Sequence, residues 1–171
     1  MGRLHSSKLL LESEKVELKL YQSQLFFRVG NYKRFLKNID ELSEEIIKRG
    51  LTVSYWTNVR FEKSFTPELC YLLAQSGCIA VSGGLEVASP RILQLINKGI
   101  TIEIARQTMK NLTEAGIMTH AYLMYGFPTE TARETIESLE VVRDMFANGW
   151  MQSAFWHRYA MTIHSPSGQA P

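Results

Sequence analysis

Val81-Ser-Gly-Gly-Leu-Glu86, Lys98-Gly99 and His120-Ala-Tyr-Leu-Met-Tyr-Gly-Phe-Pro-Thr-Glu-Thr131 decide the fold when they are read in order. An apolar run ends in glycines and a carboxylate, a helical stretch follows, and a second apolar run ends in Gly-Phe-Pro. This repeated punctuation fits the units of a barrel rather than a sandwich. Where parallel strands give way to loops, small residues let a ligand approach the backbone, so chemistry gathers at those strand ends.

Working outward, Ser89-Pro90 opens a short helix that ends at Lys98-Gly99, and Thr101 caps another that runs to Ala115. Thr131 and Glu134 have capping-box spacing, and Ile136, Leu139, Val142, Met145 and Phe146 are the predicted buried stripe of the next helix. A last strand is expected over residues 152–162. Upstream, Thr66-Pro67 starts a helix that Gly77 stops, and residues 51–57 read as a strand with 58–62 in its exit loop. Phe35, Leu36, Ile39, Leu42, Ile46 and Ile47 recur at helical spacing before Gly50. Val16, Leu18 and Leu20 alternate with polar residues, and Leu25-Phe-Phe-Arg-Val29 follows, so one or two strands are predicted there. Residues 1–14 read as a poorly ordered lead-in.

The expected fold is therefore α/β: a partial (β/α) TIM-like barrel over residues 15–171, with a parallel sheet of about five strands. A closed eight-unit barrel takes ~250 residues, more than this chain holds. Its 171 residues, 45% of them hydrophobic, suit one core. Nineteen Lys and Arg against seventeen Asp and Glu form no basic cluster among aromatics, so no nucleic-acid partner is indicated. No apolar stretch approaches the roughly 18 residues of a membrane span, and a cytoplasmic protein is expected. The chain has no strand-Gly-x-Gly-x-x-Gly-helix and no Walker lysine. Its only cysteines, Cys70 and Cys78, match no short-spaced zinc or iron-sulfur pair and read as buried small hydrophobes.

Gly84-Leu-Glu86, Asn97-Lys-Gly99 and Gly126-Phe-Pro-Thr-Glu-Thr131, with the tail Phe155-Trp-His-Arg-Tyr-Ala-Met-Thr-Ile-His-Ser-Pro166, resemble the later half of the radical S-adenosylmethionine barrel. The likeness is to the cobalamin-binding branch and covers roughly residues 45–168. It implies S-adenosylmethionine and a four-iron, four-sulfur cluster as cofactors of the intact enzyme, with cobalamin in that branch, acting on an unidentified small-molecule substrate. Two features depart from the pattern. The Cys-x-x-x-Cys-x-x-Cys loop that holds the cluster is absent, and Gly30-Asn31-Tyr32 stands where an acidic pair usually follows the early strand. The chain is thus expected to be the S-adenosylmethionine-facing part of such an enzyme, inactive alone and holding no cofactor tightly. The alternative is a degenerate half-barrel that serves as a binding or assembly module. An unpaired sheet edge would favour self-association.

The resemblance places Glu86 near ribose hydroxyls, with Gly83 and Gly84 admitting close backbone approach or needed only for packing. Arg60 either holds the ligand carboxylate or pairs with Glu62 or Glu68. Tyr122, Tyr125, Gly126 and Phe127 lie where the family's strand and bend pass adenine and ribose, while Pro128 and Thr129 shape the turn. His120, His157 and His164 are too widely spaced for a shared metal site. Glu130, Glu134, Glu137 and Glu140, with Arg133 and Arg143, read as a solvated helix face. No residue is assigned a catalytic role.

Overall fold

Helices rather than strands precede the sheet. The computed structural model describes the backbone of residues 2–164 and 166–169, with side chains over 14–164 and 168–169. Helix α1 spans Gly2–Arg28 and α2 spans Tyr32–Lys48, which overturns the strands predicted from Val16–Leu20 and Leu25–Val29. Of the lead-in, Met1 and the side chains up to residue 13 lie outside the described residues. The physical reason for the misreading is Ser23. Val16, Leu20, Ser23 and Phe27 follow helical spacing and turn inward, with Ser23 only 1% exposed, whereas Leu18 and Leu25 are more than half exposed. A serine in the inward stripe hides the helical period, and the solvent-facing leucines mimic the alternation of a strand. Gly30, at φ +73°, turns the chain, and the Asn31 side chain accepts the Arg34 amide to cap α2. Phe27 then packs edge-on against Phe35, with ring centroids 5.4 Å apart.

The rest alternates strand and helix: β1 Tyr55–Val59, α3 Pro67–Gln75, β2 Cys78–Glu86, α4 Pro90–Leu95, α5 Ile102–Glu114, β3 Met118–Tyr125, α6 Ala132–Ala147, β4 Ser153–Arg158 and the short α7 Pro166–Gln169. The strands form one parallel sheet in the order β1-β2-β3-β4. The described strands thus number four instead of about five, because the first predicted ones are α1. Thr66, Ser89, Thr101 and Thr131 each accept a backbone N–H in the first turn of the helix that follows, as their spacing predicts. Each such cap contributes about 1 kcal/mol. Strand β1 starts later than predicted because the Leu51 amide closes the end of α2 on the Ile46 carbonyl, at 3.1 Å. Consequently Arg60 follows the last residue of β1 directly.

Residues Thr57, Val81, Thr119, Ala121 and Leu123 are buried on the face that α3 and α5 cover. The opposite face carries Asn58, Ser82 and His120 in one row and Gly84, Tyr122 and Phe155 in the next. Helix α1 reaches the outer edge of the sheet at β1, where the Gln24 amide group donates to Thr57 Oγ1 and accepts from Asn58. In α6 the predicted stripe is rotated. Val142 and Met145 are buried as expected, but Ile136 is 60% exposed, and Leu139 and Phe146 also face solvent. Ser138 takes the inner position because its hydroxyl accepts the buried Ala88 amide at 2.9 Å, just beyond β2. Satisfying that donor outweighs burying another leucine there.

Candidate functional site

A cleft of about 560 Å³ opens at the carboxyl ends of the strands. Arg60 leaves β1 into it, Gly84 and Glu86 close β2 over it, Lys98 enters from the loop between α4 and α5, and Tyr122 faces it from β3. Phe27 and Tyr32, from the helical hairpin, form the remaining wall.

Glu86 and Lys98 are paired, Nζ to Oε1, at 2.6 Å, and both side chains are roughly four-fifths buried. Gly84 makes room for this pair. A Cβ there would stand 2.2 Å from Glu86 Oε1 and 3.0 Å from Lys98 Nζ. Glu86 itself adopts φ +64° and Asn97, just before Lys98, φ +49°, both in the left-handed region that non-glycine residues seldom occupy. Such backbone strain persists only where the surroundings impose it. Arg60 forms neither of the ion pairs considered for it. Its Nη2 donates to the Lys98 carbonyl at 2.7 Å, its Cζ lies 4.5 Å from the centre of the Tyr32 ring, and its Nε is buried without a partner.

The two adjacent glycines separate into two roles. Gly83 faces the core, where a Cβ would come within 2.6 Å of the Phe61 ring, while Gly84 faces the cleft. Tyr122 stands between His120 and His157, with centroids 4.9 Å and 6.2 Å away, and His120 Nδ1 is 2.7 Å from Ser153 Oγ. Tyr125 is partly exposed at the end of β3, outside the cleft lining. At Gly126 and Phe127 both amides donate to Glu130 Oε2, at 2.7 Å and 2.9 Å, and Thr135 donates to Glu130 Oε1. Glu130 is therefore a turn-closing acceptor, not one more acid of a solvated face. The Phe127 ring is buried beside Tyr159, 4.9 Å between centroids.

Of the residues singled out in the sequence, the cleft gathers Arg60, Gly84, Glu86 and Tyr122 and leaves out Gly83, Tyr125, Gly126 and Phe127. Sequence reasoning missed Phe27, Tyr32 and Lys98. Lys98 carried a usable signal, a lone cation inside Asn-Lys-Gly, twelve residues after a strand-end acid. The two aromatics carried none once α1 was read as strands.

The cysteines do not fit an iron-sulfur cluster. Burial pushes both thiols up to about 12, Cys70 donates to the Phe65 carbonyl and Cys78 to the Ala80 carbonyl. Cys78 also opens β2 at the end far from the cleft, about 25 Å along the strand from Glu86. Among the described residues no three His, Cys, Asp or Glu side chains converge on a metal position, and no helix is long and apolar enough to cross a membrane.

Comparison with known proteins agrees with the fold. The model of the Radical SAM superfamily matches residues 12–142. The chain is 36% identical over 109 residues to the anaerobic magnesium-protoporphyrin IX monomethyl ester cyclase of Rubrivivax gelatinosus, covering 63% of this chain and 20% of that protein. Among solved structures it is similar to the radical S-adenosylmethionine methyltransferase TsrM from Kitasatospora setae, solved with cobalamin and a [4Fe-4S] cluster. That likeness has a TM-score of 0.62 at 22% identity over 77% of this chain and 27% of the other. Coproporphyrinogen III oxidase (HemN) of Escherichia coli, a radical SAM enzyme, is similar with a TM-score of 0.60 at 16% identity, over 76% and 31%. These two likenesses are of fold. The chain spans about a fifth of the length of the cyclase it matches.

Proposed function

Because the chain belongs to the Radical SAM superfamily, we propose that its cleft is the adenosyl-binding rim of a radical S-adenosylmethionine enzyme. The observation that carries the reading is Glu86, strained at φ +64° and set over the bare backbone of Gly84 at the carboxyl ends of parallel strands. A carboxylate so placed accepts hydrogen bonds from the vicinal hydroxyls of a ribose. Tyr122 offers an aromatic face to a purine, and the Arg60 guanidinium, flattened on Tyr32, has donors to spare for a ligand carboxylate.

In the intact family enzyme the cluster supplies the electron that cleaves S-adenosylmethionine. Since Cys70 and Cys78 do not fit that cluster, this chain alone is expected to bind the nucleoside weakly and to leave S-adenosylmethionine uncleaved. Cobalamin, present in TsrM, would be a second cofactor of the assembled enzyme. The test is a nuclear magnetic resonance titration with 5'-deoxyadenosine at millimolar concentration. Shifts confined to the amides around Gly84, Glu86, Arg60 and Tyr122, and abolished by Glu86→Gln, are expected. Shifts clustered elsewhere, or none, overturn the reading. One observation favours the second reading, a binding module without chemistry: the amides of Gly126 and Phe127 are already taken by Glu130. That module would bind no nucleoside even beside a cluster-bearing partner.

A further inference from the structure

We infer that Lys98 is a positioning residue: it holds Glu86 by one oxygen so that the other is presented to the ligand. The inference rests on the adenosyl reading and adds to it a residue of the opposite charge, whose role would be invisible if only ligand contacts were counted. An ordinary ion pair on a protein surface contributes little and needs no special construction. The Glu86–Lys98 pair is built by four separate features. Glu86 and Asn97 both take left-handed backbone, Gly84 supplies the space that any side chain would fill, and Arg60 Nη2 ties down the Lys98 carbonyl. The lysine is thus installed from its own backbone outward; it is not a flexible chain that happened to reach an acid.

Its single ammonium bond falls on Oε1 at 2.6 Å. Oε2 accepts no bond from the described residues. A carboxylate with one oxygen tied and one open has lost most of its rotational freedom before a ligand arrives, and the ligand need not supply that ordering. Charge matters as well. Arg60 and Lys98 against Glu86 leave the cleft with one excess positive charge among its lining residues, which suits a ligand that also carries a carboxylate. A lysine acting as a plug would behave in the opposite way, since its removal would free Oε1 and tighten binding.

The experiment compares the wild-type chain with Lys98→Met, and with Lys98→Gln should the first variant fail to fold. Two readouts are taken: the 5'-deoxyadenosine titration, and the three-bond proton couplings of the Glu86 side chain without ligand. The expected result is one Glu86 rotamer in the wild type, averaged couplings in the variant, and binding weakened about tenfold. If the variant binds equally or more tightly while the wild type binds, Lys98 is a bystander or a plug and the inference is overturned, though the adenosyl reading stands. If the wild type does not bind, that reading falls. The inference then falls with it, since no ligand receives the open oxygen. Where the wild type does bind, averaged couplings already present in it overturn the inference alone, and a rotamer fixed only by Lys98, with weaker binding in the variant, upholds it.

Discussion

The rim of β2 ends in Gly84, Leu85 and Glu86; the rim of β3 ends in Gly126, Phe127 and, three residues later, Glu130. Both therefore place a glycine and a carboxylate at the end of a parallel strand, beside backbone in left-handed conformation. At β2 the carboxylate gives one oxygen to Lys98 and leaves the other open to a cleft. At β3 the carboxylate folds back on its own turn, takes two backbone amides and a threonine hydroxyl, and leaves nothing for a ligand. The difference is one of reach. Glu130 finds its partners within five residues, so closing that ring costs little chain entropy, whereas Glu86 accepts no backbone amide from the described residues and takes a side chain twelve residues on. On the proposed reading, a strand-end glycine with an acid serves a ligand only when the local chain does not satisfy the acid first.

The largest effect expected from this comparison is on binding. In Gly84→Ala the new methyl would overlap the Glu86 carboxylate, whose flexible end can retreat, so stability should hold while nucleoside affinity falls at least about tenfold. Gly126→Ala meets no atom within 4 Å but sits at φ +79°, so it should cost roughly 1–2 kcal/mol of stability and leave binding unchanged. Titration and urea unfolding of the two variants give the crossed pattern, and equal loss of binding in both would erase the distinction between the rims. Next in size is Glu130→Gln. Replacing a charged acceptor of three hydrogen bonds by a neutral amide should cost about 1–3 kcal/mol in urea unfolding, with 5'-deoxyadenosine shifts unaltered. Glu86→Gln should do the reverse.

The sheet and its order were legible in the sequence because each strand from Tyr55 onward is bounded by a cap or a glycine with a local job. Thr66, Ser89, Thr101 and Thr131 cap the helices, and Gly77, Gly116 and Gly149 take positive φ at the turns. The amino-terminal hairpin was not legible. Ser23 in the buried stripe and Leu18 and Leu25 outside it reverse the pattern that periodicity depends on, and the Gln24 contacts that seat α1 against β1 join residues more than thirty positions apart. The candidate site shows the same split. Glu86 and Gly84 could be found because strand-end position is a property of the local chain. Gly83 and Gly84 could not be told apart, since their difference lies in which face meets Phe61, and Glu130 was discounted because its partners are amides that only the folded turn exposes.

A final and smaller effect concerns what keeps the two rims in register. Arg91, in the first turn of α4 after β2, donates to both carboxylate oxygens of Glu134 in α6, at 2.6 Å and 2.8 Å, and also to the Thr129 carbonyl and hydroxyl. Arg91, followed by the Thr131 amide and hydroxyl, holds the Glu134 carboxyl down at about 2. An unfolded glutamate titrates near 4.3, so this contribution is complete above that pH and is lost as pH falls toward about 2. The melting temperatures of wild type and Arg91→Met should therefore differ most above about pH 5 and converge by about pH 2. The Arg91 side chain is half exposed to solvent and salt, so the gap should be modest and should shrink further at high ionic strength. A gap that stays constant across the titration would mean that Arg91 acts through its packed alkyl stem, and that the rims are joined by shape instead of charge.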